Sequence, residues 1–238
     1  MESIPTRERL IFALDVPDAL SARRTVEALG DAVVFYKLGL ELMMAGGYHE
    51  LIDWLVARQK KVFADLKFFD IPATVAAAVA RLNGRGVTFT TVHGNQGIME
   101  AAVGAAKDVG ILAVTVLTSL DRGDLDDLGF ACNVEQLVLS RARRALAAGC
   151  AGVVSSGVEA AAIRRELGPK LLVVTPGIRP VENRPEDDQK RVLTVERAFE
   201  AGADYIVVGR PIRDAADPRA AAESIQASIV GACAPRRS

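Results

Sequence analysis

Eight times along the chain, a short apolar run rich in β-branched residues is followed by a longer segment with Ala, Leu, Arg and Glu at helical spacing. Such alternation predicts parallel strands joined by helical crossovers. Strands are expected at Leu10–Val16, Val33–Gly39, Val62–Phe68, Thr88–Gly94, Ile111–Leu117, Gly152–Gly157, Leu171–Gly177 and Tyr205–Arg210. Helices are expected at 18–29, 41–57, 71–82, 97–107, 133–148, 159–167, 194–201 and 217–230, with Gly30, Gly149 and Gly168 at C-terminal stop positions. Eight such units in 238 residues fit a single α/β domain, a (β/α)8 TIM barrel over residues 1–238. A doubly wound flavodoxin-like sheet normally uses about five or six strands and fits the count less well. No linker or low-complexity tract divides the chain. Arg179–Arg191 is polar and holds two prolines, yet it lies inside the pattern and reads as a long βα loop. Residues 232–238 are expected to fray.

Parallel strands covered on both faces should be almost wholly apolar, so charges within them demand an account. Asp15 closes the first strand, Lys37 lies late in the second, and Asp65 and Lys67 share the end of the third. Side chains alternate with period two, so Asp65 and Lys67 point one way while Leu66 and Phe68 face the helical layer. Barrel active sites sit at the C-terminal ends of strands, where these two aspartates and two lysines would converge with Asp70 close by in sequence. A purely structural ion network explains their pairing, but not their crowding on the face where this fold does chemistry. A lysine between carboxylates stays protonated and fixed, which suits a proton donor or a stabiliser of negative charge. His93, also late in a strand, reads as a core or supporting histidine rather than a catalytic one.

A second signal follows the last two strands. Thr175-Pro176-Gly177-Ile178-Arg179-Pro180 and Val207-Val208-Gly209-Arg210-Pro211-Ile212 put glycines and arginines where barrels commonly bind phosphate. A phosphorylated ligand is expected. The 29 Lys and Arg nearly cancel the 30 Asp and Glu, which disfavours a nucleic-acid partner. No apolar stretch is long enough to span a bilayer, and no secretory leader pattern opens the chain, so no membrane partner is expected. Cys132, Cys150 and Cys233 are odd in number and lack metal-site spacing. A reducing, cytoplasmic location and no metal are expected.

With these residues in view, the chain resembles the orotidine 5′-monophosphate decarboxylase family along nearly its whole length. Asp65-Leu66-Lys67-Phe68-Phe69-Asp70-Ile71-Pro72 is similar to that family's D-x-K-x-x-D-I-P signature. Company makes the motif specific: Ala13-Leu14-Asp15, Lys37-Leu38-Gly39, Leu117-Thr118-Ser119, Pro176-Gly177-Ile178-Arg179-Pro180, Asp188-Gln189-Lys190-Arg191 and Val208-Gly209-Arg210-Pro211-Ile212 follow in the family's order. The resemblance implies decarboxylation of orotidine 5′-monophosphate to uridine 5′-monophosphate, the last step of de novo pyrimidine synthesis, without metal or organic cofactor. It implies Lys67 as the acid, with Asp65 beside the departing carboxylate and Asp70 and Lys37 completing the catalytic set. Asp15 and Lys37 would bind ribose hydroxyls, Thr118 the pyrimidine amide edge, and Arg179, Gln189, Gly209 and Arg210 the phosphate. Asp70, Ile71 and Thr74 would reach the neighbouring site of a homodimer. The competing readings are a Mg²⁺-dependent sugar-phosphate decarboxylase or hexulose-phosphate synthase sharing D-x-K-x-x-D, and a catalytically silent phosphate-binding barrel.

Overall fold

The computed structural model describes residues 4–179 and 193–234. Its eight parallel strands close into one barrel in chain order: β1 (Leu10–Ala13), β2 (Phe35–Leu38), β3 (Lys61–Phe68), β4 (Val87–His93), β5 (Gly110–Val114), β6 (Gly152–Val154), β7 (Leu172–Thr175) and β8 (Tyr205–Val208). The TIM-barrel expectation is met. Six strands are shorter than the apolar runs that announced them, β4 is displaced by one residue, and β3 starts one residue earlier than expected, at Lys61. The reason is physical: apolar character continues through the turns that bury residues above the hydrogen-bonded ladder.

The helices are α1 (Ala19–Leu29), α2 (Leu40–Ala45), α3 (Tyr48–Val56), α4 (Pro72–Ala80), α5 (Gln96–Ala105), α6 (Arg122–Asp127), α7 (Val134–Ala147), α8 (Gly157–Leu167), α9 (Val195–Glu200), α10 (Arg210–Arg213) and α11 (Pro218–Cys233). Local chemistry starts several of them. The Asp18 carboxylate accepts the Ser21 N–H at 2.7 Å, Asn133 and Gln136 form a reciprocal cap on α7, and Pro72 stands in the first turn of α4. Three expectations need correction. The single helix at 41–57 is two, because Gly46 and Gly47 take φ of 83° and 69°, which ends one helix and redirects the chain into the next. Arg210 opens α10 instead of ending a strand. Helix α11 runs to Cys233, so the start of the expected frayed tail is helical; residues 235–238 lie outside the described part.

Inside the barrel, Ile11, Phe35, Phe63, Phe89, Val174 and Tyr205 belong to one buried cluster. Phe89 packs against Phe35, Tyr205 and Phe63 at centroid separations of 5.8, 5.6 and 6.3 Å. These rings fill the lower barrel and close it to solvent. Outside, Leu66 joins the strand–helix core, and Phe68 packs against the two outer apolar clusters, as strand alternation predicts. No described helix is long and apolar enough to cross a membrane.

Candidate active site

Period-two alternation carries the aromatic plug upward into charge. Phe63 is followed on the same face by Asp65 and Lys67, Phe35 by Lys37, and Ile11 by Ala13 and Asp15. At that level the Lys67 ammonium donates to Asp65 Oδ2 at 2.8 Å, and Lys37 Nζ lies 3.6 Å from the same oxygen. Lys37 also donates to Asp15 Oδ1 at 3.0 Å. Asp65 Oδ1 accepts the Thr91 hydroxyl at 2.8 Å. The chain Asp15–Lys37–Asp65–Lys67 thus alternates in sign, as the poorly hydrated Lys37–Asp65 centre requires, with Asp15 and Lys67 reaching the more open ends.

Asp65 is 7% exposed. Burial alone would raise its carboxyl pKa, but Lys37, Lys67 and the hydrogen bonds from Lys67 and Thr91 outweigh it and hold the group below the ordinary aspartate value. The carboxylate is therefore ionised at neutral pH. Among the described residues, Asp65 is the sole hydrogen-bond partner of the Lys67 ammonium. Its remaining protons are available to a ligand.

The backbone contributes as well. Lys67 has φ of 47°, and the β3–β4 register shifts between Ala64 and Phe68. The displaced Lys67 N–H donates to Thr91 Oγ1 at 2.9 Å. Thr91 therefore ties both ends of the unit, its hydroxyl accepting from the Lys67 main chain and donating to Asp65. Sequence reading missed it, because a threonine in a β-rich run is ordinary; its only signal is a shared face with Phe89 and His93. His93 is half-buried, and burial, Arg141 and Lys67 lower its pKa, so it is neutral at pH 7. Its ring stands 4.8 Å from that of Phe69, outside the ion chain.

A cavity of about 120 Å³ opens beside this chain, lined by Lys37, Asp65, Lys67 and Thr118 on its polar side and by residues such as Val154 and Pro176 on its apolar side. A second cavity, of about 90 Å³, is lined by Asp15, Gly177, Arg179, Gly209, Arg210 and Arg213. Val207 borders both, and the Asp15–Lys37 pair bridges them, one residue in each. The two arginines anticipated from the sequence do converge: burial and the neighbouring Arg210 lower the pKa of Arg179, while Arg213, Arg210 and Arg179 all lower that of Asp214. Arg213, which sequence reading passed over, anchors the rim by donating to the Asp15 carbonyl at 3.0 Å.

Asp70, Ile71 and Thr74 do not join the ion chain. All three are exposed; Asp70 Oδ1 accepts the Ile71 N–H at 2.6 Å, and Thr74 lies in the first turn of α4. Gln189 lies outside the described residues.

Comparison with known proteins agrees with this geometry. Residues 8–225 match the sequence model of the orotidine 5′-phosphate decarboxylase / HUMPS family. The chain is 67% identical over 226 residues to an orotidine 5′-phosphate decarboxylase of Methylococcus capsulatus, covering 95% of this chain and 93% of that one. It is 52% identical over 231 residues to that of Stenotrophomonas maltophilia, with 96% and 95% covered. Among solved structures, orotidine 5′-phosphate decarboxylase from Lactobacillus acidophilus superposes with a TM-score of 0.82 at 34% identity, covering 93% of this chain and 99% of the other. An aspartate–lysine chain centred on the buried Asp65 beside an arginine-rimmed cavity agrees with the match of residues 8–225 and the 67% identity, which show that the protein belongs to the orotidine 5′-phosphate decarboxylase / HUMPS family.

Proposed function

We propose that the protein decarboxylates orotidine 5′-monophosphate to uridine 5′-monophosphate in de novo pyrimidine synthesis, in the cytoplasm. The observation that carries this reading is the Lys67 ammonium, 2.8 Å from Asp65 on the wall of a cavity that adjoins an arginine-rimmed one. The pyrimidine fills the inner cavity with its amide edge on Thr118. The ribose lies along Asp15 and Lys37, and the phosphate meets Arg179, Gly209 and Arg210; the family resemblance adds Gln189, which lies outside the described residues.

Breaking the C6–carboxylate bond releases carbon dioxide and leaves the electron pair on C6, in the ring plane and out of reach of the π system. Positive charge already in place beside C6 is the available means of stabilising that pair. Lys67 supplies it, then transfers one N–H proton to C6; solvent later reprotonates the amine. Asp65 holds the ammonium and stands beside the departing carboxylate. Binding energy from the remote phosphate is realised in positioning and in excluding water.

The Mg²⁺-dependent alternative requires carboxylate oxygens free for a metal ion. Asp65 Oδ2 instead has two ammonium groups within 3.6 Å, an arrangement that favours direct acid chemistry. The relatives' names also favour the nucleotide reaction. The test is the ultraviolet absorbance change on adding orotidylate, with and without EDTA. Turnover that survives the chelator supports the proposal; no turnover, or turnover abolished by it, overturns it.

The working unit is a homodimer in which Asp70, Ile71 and Thr74 complete the partner's site. Support comes from the 66% and 67% exposure of Phe69 and Ile71 on either side of Asp70, with Leu40 and Met44 likewise exposed on α2, which follows the adjacent strand.

A further inference from the structure

Helix α8 opens on Gly157, which is buried although alanine is the better helix former. A Cβ at this position would lie 2.3 Å from Leu193 Cδ1 and 3.2 Å from its Cγ, and 3.3 Å from Thr175 Cγ2. Optimal carbon contacts are about 3.5–4.0 Å, so a Cβ here forces the end of the Leu193 side chain out of its present seat. Leu193 is no ordinary core residue. Its carbonyl accepts the Arg179 N–H at 3.0 Å, its N–H donates to the Gly177 carbonyl at 3.4 Å, and it pairs with Ile178 in an isolated parallel bridge. The residue after it, Thr194, caps α9 through the Arg197 N–H.

We propose that Gly157 is a positioning residue for phosphate recognition: its missing side chain forms the seat for Leu193, and Leu193 holds the main chain that carries Arg179. The inference rests on the assignment of Arg179 to the substrate phosphate. Neither residue touches the reacting carbon. Their influence should therefore reach phosphorylated substrates alone.

The seat is tested with Gly157→Ala, Leu193→Ala and the double variant, using orotidylate and its unphosphorylated nucleoside, with Arg179→Ala alongside. Displacing the guanidinium by a fraction of an ångström should lower kcat/KM for orotidylate about tenfold in each single variant, mainly through KM, and leave the nucleoside within about twofold. In the Leu193→Ala background the clash is gone, so adding Gly157→Ala should cost less than about twofold. Equal losses on both substrates, no loss on orotidylate, or an undiminished Gly157→Ala effect in the Leu193→Ala background would each overturn the inference. If Gly157→Ala does not fold, the same substrate split in Leu193→Ala decides it. If Arg179→Ala penalises both substrates equally, the phosphate assignment itself has failed; if Arg179→Ala discriminates and the seat variants do not, only the seat has.

Discussion

The two ends of the barrel are built from the same residue types and use them differently. At the N-terminal floor, Lys60 donates to the carbonyls of Gly30 at 2.7 Å and Val33 at 3.1 Å and to Asp31 Oδ1 at 3.3 Å, while Lys61 pairs with Glu8. Lys60 thus has three acceptors for its three protons. At the C-terminal mouth, Lys37 and Lys67 crowd one oxygen of Asp65, and Lys67 retains unused donors. A saturated ammonium fastens elements together; an unsaturated one, held in place and facing a cavity, has capacity left for a substrate. Charge in a barrel thus signals chemistry through its unmet valence more than through its burial.

That contrast can be broken most sharply at Lys67. Lys67→Ala should lower kcat at least about a hundredfold, the lower end of what a general acid contributes, with the fold retained. Steady-state assay of protein freed of host enzyme checks this, and a smaller loss would refute the acid role. Next in size is the effect of mixing Lys67→Ala with Asp70→Ala, each nearly inactive alone. If Asp70 serves the partner's site, exchange creates hybrids with one intact site in two, and activity should rise to roughly a quarter of wild type. Absence of recovery after verified exchange would place Asp70 in its own chain's chemistry.

Thr91→Val sharpens the comparison from the supporting side. It removes the hydroxyl that joins Asp65 to the Lys67 main chain and leaves buried groups unmatched, at about 1–3 kcal/mol of stability. Turnover should fall with it, by roughly tenfold, if about 1.4 kcal/mol of that support is expressed in the transition state. Denaturant melts and kcat measured together separate the two effects. On the floor, Lys60→Ala should cost about 1–3 kcal/mol through the Gly30 and Val33 carbonyls yet leave kcat unchanged. Lys61→Met, which breaks a partly exposed pair, should cost no more than about 1 kcal/mol. A large activity loss from either floor variant would show that the two ends are not functionally distinct.

The fold was legible because eight apolar runs with helical segments between them leave few architectures open. The site was legible because Asp15, Lys37, Asp65 and Lys67 are costly where they stand. Other features left a weaker trace. The break at Gly46-Gly47 interrupts a segment whose apolar spacing still looks continuous. Helices α6 and α10 are too short to show a period. Thr91 and Gly157 matter through what approaches them from elsewhere in the chain, a property of tertiary packing that no local window contains. The irregularity at Lys67 is equally silent, since lysine has no preference for positive φ.

That irregularity reverses an ordinary rule of protein engineering. Glycine inside a strand normally weakens it relative to alanine, through entropy and lost packing. At position 67 the backbone lies where every residue with a Cβ is disfavoured by about 1–2 kcal/mol. Of two variants that both lack the amine, Lys67→Gly should therefore melt above Lys67→Ala, the opposite of the usual order. A population already carrying alanine at this position, screened only for heat tolerance, would drift toward glycine, growing sturdier without regaining an amine.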